Sequence, residues 1–122
     1  MIRGVGLSLL VSSSAYAQGT LTQAAEQQAD PSRAALDSAL RQLRSEDYGP
    51  AAVALFQLSQ ENAELADEAK YNLGKALYRD GFLHSALAQF ETLLADGPQS
   101  RFYKASLEWC LFIGRKMAAD DR

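Results

Sequence analysis

The stretch AKYNLGKALYRDGFLHSALAQFETLLADGP, residues 69–98, decides the fold. Ala69, Leu73, Ala76 and Leu77 recur at steps of three and four, and after the break Asp80-Gly81-Phe82 similar spacing returns in Ala86, Phe90, Leu93 and Leu94. That spacing gathers apolar side chains on one face of a helix, and a short Gly-containing break makes two such helices antiparallel neighbours. Asp96-Gly97-Pro98 then ends the pair. Gly74 and Ala86 are the small residues at which the two helices are expected to cross, with Phe90 filling the space toward the next helix.

On the N-terminal side, Leu36, Leu40 and Leu43 form one more apolar row and Ala52, Phe56 and Ser59 another, with Asp47-Tyr48-Gly49-Pro50 between them and Glu61-Asn62-Ala63-Glu64 after them. Sliding the chain along itself by 34 lays Ala39 on Leu73, Leu43 on Leu77, Tyr48 on Phe82, Ala52 on Ala86 and Phe56 on Phe90. A second such shift lays Lys70 on Lys104, Leu73 on Leu107, Leu77 on Leu111 and Tyr78 on Phe112. No segment shows strand alternation. The expected fold is therefore all-α, a short α-solenoid of two antiparallel helix hairpins, residues 33–66 and 67–100, and a terminal helix with a polar tail, 101–122. Leu40 stands where the second hairpin has Gly74, so the first pair of helices is expected to sit further apart.

Leu73-Gly74, Leu77, Ala86-x3-Phe90 and Pro98 are spaced as in the 34-residue signature of the tetratricopeptide repeat (TPR) family, with Lys70 where the family carries Trp. The resemblance covers residues 33 to 122. It implies a concave groove lined by the first helix of each repeat. Carried onto matching positions, the groove is Asp37, Arg41 and Arg44, then Glu68, Tyr71, Lys75, Tyr78 and Arg79, then Phe102, Trp109 and Phe112. Helical spacing independently places Tyr71, Lys75, Tyr78 and Arg79 on a stripe opposite Leu73, Ala76 and Leu77. Such a stripe reads either as a peptide groove, with aromatic anchors and cationic donors, or as a solvated face with snorkelling cations. The family's carboxylate clamp for acidic C-termini is not reproduced: Asp37 and Arg41 replace its Lys and Asn, and only Asn72 fits.

Composition narrows the chemistry. The 122 residues make one small domain of ordinary hydrophobicity, with twelve Lys and Arg against fifteen Asp and Glu, a net charge of -3 and no basic excess for nucleic acid. One Cys and one His exclude a disulfide framework and a Cys/His zinc cage from this chain alone. His84 and Ser85 are adjacent on a helix and do not face each other, so a solvated first-turn His is expected. Glu61, Glu64, Asp67 and Glu68 read as a cation cluster or as acidic residues favouring a helix N-terminus. Cys110 reads as a buried, inert thiol, with a redox or crosslinking role as the lesser option. No cofactor or metal is expected, and no enzymatic activity.

Residues 1–17 have the order of a secretory signal peptide: Arg3, an apolar run from Gly4 to Val11, three serines and Ala15-Tyr16-Ala17 before a cut. The run is too short to span a bilayer, so periplasmic or secreted localisation is expected, a cytoplasmic chain with an apolar N-terminus being the alternative. Residues 18–32 read as a flexible linker ending in the helix start Asp30-Pro31-Ser32.

The terminal helix is apolar around most of its circumference: Phe102, Tyr103, Leu107, Trp109, Cys110, Leu111, Phe112 and Ile113. A preceding hairpin covers one stripe, so the rest predicts a homo-oligomer contact, a heterologous partner or a chain cut from a longer array. Together these features lead to a non-enzymatic adaptor or scaffold of the cell envelope. It would bind a protein or peptide segment through its concave face and terminal helix. The alternative is a self-assembling structural protein dimerising through 101–113, and a small ligand-carrying protein stands third.

Overall fold

The computed structural model describes residues 30–121. The expected signal peptide and most of the expected linker lie outside them. Five helices follow one another: α1 (Pro31–Arg44), α2 (Tyr48–Glu61), α3 (Ala66–Arg79), α4 (Leu83–Ala95) and α5 (Tyr103–Asp120). Among the described residues there is no strand, and no helix is long and apolar enough to cross a membrane. The architecture is all-α, a short solenoid in which α2 packs on α3, α3 on α4 and α4 on α5.

Each helix is set by its own sequence. Pro31 occupies the first turn of α1, where its missing N–H removes nothing, so the last two residues of the expected linker are helical. Arg41 and Arg44 in the last turn of α1 oppose its negative pole, as Arg79 does in α3, while Asp67 and Glu68 sit at the positive pole of α3. A left-handed residue ends three of the helices: Glu46 (φ 65), Gly81 (φ 92) and Gly97 (φ 99). In the first two turns the hydrogen bonds are the same. The Glu46 and Gly81 N–H groups donate to Leu43 and Tyr78, and the Asp47 and Phe82 N–H groups donate to Gln42 and Leu77, closing a Schellman motif in each.

The core has two parts. Leu36, Ala39 and Leu43 of α1 gather with Ala51, Leu55 and Leu58 of α2 and Ala69, Leu73 and Ala76 of α3. Ala86, Phe90 and Leu93 of α4 gather with Ile113 of α5. Leu77 packs against both. Leu40, the large residue in the first hairpin, lies half-buried at the margin of the first cluster.

Two expectations fail together in the first hairpin. The turn is Ser45-Glu46-Asp47, and Tyr48-Gly49-Pro50 begin α2 rather than separating two helices. Phe56 is 51% exposed and Ala52 only half-buried, while Ala51 and Leu55 are fully buried. The cause is one residue of register. In sequence, Ala39 and Leu43 of α1 match Leu73 and Leu77 of α3 at a spacing of 34, but the two Schellman turns lie 35 apart. From the turn onward Ala51, Leu55 and Leu58 therefore take the places of Ala86, Phe90 and Leu93. One residue is about 100° of helix, enough to turn Phe56 from the core to solvent.

In the second hairpin the small residues behave as expected. A Cβ added at Gly74 would stand 2.6 Å from Phe90 Cζ. The Phe90 ring, fully buried, occupies the space that the glycine leaves and extends to α5.

Candidate functional site

Where α3 meets α5, aromatic side chains converge. Trp109 lies flat on Phe90, with ring centroids 5.3 Å apart and an interplanar angle of 3°. Its indole N–H donates to the Tyr71 hydroxyl at 3.2 Å. Tyr71 in turn stacks on Phe102 at 5.1 Å and meets Phe90 edge-on at 5.8 Å. Tyr78 approaches Trp109 and Phe112 edge-on at 5.3 and 5.5 Å. Edge and offset contacts of this kind add about 0.5–1.5 kcal/mol per pair beyond burial. Five of the expected groove residues, Tyr71, Tyr78, Phe102, Trp109 and Phe112, thus form the junction that seats α5.

The same junction leaves a cleft. Tyr71, Ala105, Glu108, Trp109 and Phe112 line a volume of about 280 Å³. That is at the lower end of the ~300–1,000 Å³ of small-molecule pockets, a size that also accommodates one anchor side chain of a partner. Phe112 is half-exposed at the mouth, and Trp109 is half-buried in the wall. Beside the cleft, the Lys75 ammonium sits over the Tyr71 ring, 5.5 Å from its centroid. Burial, and then the neighbouring Arg79 guanidinium, hold the Lys75 pKa below its usual value. A carboxylate brought alongside would favour the charged ammonium and so oppose this downward shift.

Of the expected groove residues, the structure brings together Tyr71, Lys75, Tyr78, Phe102, Trp109 and Phe112. Arg79 is exposed at the end of α3, and Asp37, Arg41 and Arg44 are exposed on α1, apart from the ring cluster. Glu68 serves a different purpose. Its carboxylate takes Arg33 of α1 at 3.2 Å and Arg101, just before α5, at 3.9 Å, linking α1 and the approach to α5 to α3. The Arg101 guanidinium also lies over the Phe102 ring, 4.7 Å from its centroid. Asn72 is buried, and its amide donates to the Glu68 carbonyl one turn back, so it is committed to its own helix.

Ala105 and Glu108 are cleft residues that the sequence reading did not single out. Ala105 had a signal: it lies one repeat period after Tyr71, at the same groove position. Glu108 had none, since it occupies the position of Gly74 and is exposed here because no further helix of the described chain crosses α5. The acidic cluster divides. Glu68 pairs with the arginines, and Asp67 faces Asp96 across a second cleft. Among the described residues no group of His, Cys, Asp or Glu is arranged to hold a metal ion. His84 is exposed in the first turn of α4. Cys110 is half-buried rather than buried as expected, because it lies at the edge of the α4–α5 contact; partial burial, then Glu91, raise its thiol pKa and so disfavour the thiolate.

Comparison with family models, curated proteins and solved structures finds no match to this chain.

Proposed function

We propose that this chain is an exported, non-enzymatic adaptor of the tetratricopeptide-repeat type, which holds an extended or helical segment of a partner protein against α3 and α5. The observation that carries the reading is the aromatic cleft between Tyr71, Trp109 and Phe112. It is preformed by stacking and by the Trp109–Tyr71 hydrogen bond, so little ordering of the protein opposes binding. An apolar side chain of the partner fills the cleft while its carboxylates meet Lys75 and Arg79. Export rests on the Ala15-Tyr16-Ala17 cut site and the short apolar run before it. The repeat assignment rests on the common period of α1, α3 and α5, together with the signature residues Gly74, Ala86 and Phe90.

Panning of random displayed peptides against the full chain tests this reading. Selected peptides are expected to share an apolar or aromatic residue flanked by acids. Their affinity is expected to fall about tenfold in Phe112→Ala, a loss of about 1.4 kcal/mol, with helical circular dichroism unchanged. If no sequence is enriched, or Phe112→Ala and Lys75→Ala bind the selected peptides as tightly as the parent chain, the cleft is not a docking site.

A further inference from the structure

One row of α5, continued into Asp121 just after it, is exposed along its whole length: Lys104, Leu107, Leu111, Gly114, Ala118 and Asp121. These residues alternate steps of three and four, the spacing of a helix face that meets another helix side by side. Leu107 and Leu111 stand one repeat period after Leu73 and Leu77, which pack against neighbouring helices in the core. In α5 they are 39% and 53% exposed. Gly114 adds an independent sign. A glycine inside a helix is less favourable than alanine, because it orders a more flexible backbone. At Gly74 the Phe90 ring explains it, but a Cβ at position 114 would meet nothing within 4 Å. Nothing within the described chain requires Gly114 to lack a side chain.

The row is its own complement when reversed. Laid antiparallel against a second copy, Lys104 falls opposite Asp121, Leu107 opposite Ala118 and Leu111 opposite Gly114, and the two-fold axis repeats each pairing. Every layer joins a large side chain to a small one or a cation to an anion. Beside the row, Glu108 falls near Arg115 of the second copy in the same way. A parallel arrangement would set Lys104 against Lys104 and leave a gap at paired glycines, and like charges in register are unfavourable.

We infer that two copies of this chain associate through α5, antiparallel about a two-fold axis. Leu107, Leu111, Gly114 and Ala118 form the centre, and Lys104–Asp121 pairs close both ends. The contact is isologous, so it closes at two copies and does not propagate. It uses the side of α5 turned away from α4 and borders the aromatic cleft at Glu108.

Sedimentation equilibrium of the full chain over a concentration series tests the arrangement. The mass is expected to rise from 13.3 kDa toward twice that value and to stop there. Leu111→Glu weakens association about tenfold or more, with helical circular dichroism retained, because the residue is not part of the fold's core. Lys104→Glu and Asp121→Lys each weaken it, and the double variant recovers the parent's association. A chain that keeps the mass of a single copy at the highest concentration overturns the proposal. So does association that Leu111→Glu leaves intact, which would place the contact elsewhere, or a double variant no tighter than either single one, which would refute the antiparallel register.

Discussion

Glu46 adopts a conformation that most residues avoid. Its φ of 65 puts it in the left-handed region, where the same position of the second hairpin has Gly81 and the last turn has Gly97. A side chain there costs about 1–2 kcal/mol against its own backbone. Glycine removes that strain, though it makes the unfolded chain more flexible. Glu46→Gly is therefore expected to stabilise the fold by about 0.5–1 kcal/mol, read as a higher urea midpoint with an unchanged slope. A lower midpoint would mean that the Glu46 side chain holds the turn by a contact of its own.

Between elements, the α3–α4 crossing depends on one missing side chain. Phe90 cannot swing away from a new Cβ at position 74, because Trp109 lies flat on it and Tyr71 stands edge-on beside it. Overpacking of this kind costs about 1–3 kcal/mol, which outweighs the roughly 1 kcal/mol that alanine gains over glycine in a helix. Gly74→Ala is expected to lower the denaturation midpoint and to shift Trp109 emission to the red as α5 loosens. Emission unchanged at full stability would show that the crossing has slack.

The ends of α3 and α4 are coupled by charge. Burial, then the charge and hydrogen bonding of nearby Asp96, raise the Asp67 pKa above its usual 3.8. The folded chain then binds this proton more tightly than the unfolded one. Its stabilisation is complete below the unfolded value and is lost as pH rises through the folded value. Asp96→Asn is thus expected to be more stable than the parent at neutral pH, and the difference to shrink as pH falls through that window. The effect is small, because Asp67 remains largely solvated. Thermal melts of both chains between neutral and acid pH measure it, and a difference that grows on acidification would contradict the coupling.

Across the whole molecule, the helices and the packing of α3 on α4 were legible because the steps of three and four run unbroken through Leu36–Leu43, Ala69–Leu77 and Ala86–Leu94. Gly74, Ala86 and Phe90 were legible because small residues and one large ring have a single sensible use at a crossing. Phe56 was not. Its match to Phe90 is a coincidence of sequence, and the turn that moves it outward carries Glu46 where a glycine would have revealed the offset. The aromatic members of the cleft could be read from repeat positions, since Tyr71, Trp109 and Phe112 each occupy a groove position of their helix. The ion pairs of Glu68 could not, because Arg33 and Arg101 are set beside it only by the stacking of α1, α3 and α5.

The one-residue offset also limits how such a chain can be lengthened. A solenoid grows by copying a unit, and any copied unit must return the chain in the phase in which it entered. Here the first hairpin gains a residue between its core and its turn, and its second helix is phased to that turn. Spliced in at the period of the core residues, a duplicate of α2 would present Ala52 and Phe56 to the stack and expose Ala51 and Leu55. The two hairpins are thus dissimilar parts fitted to fixed places, and only the second, with Gly74, Gly81 and Phe90 in step, could serve as the template for a longer array.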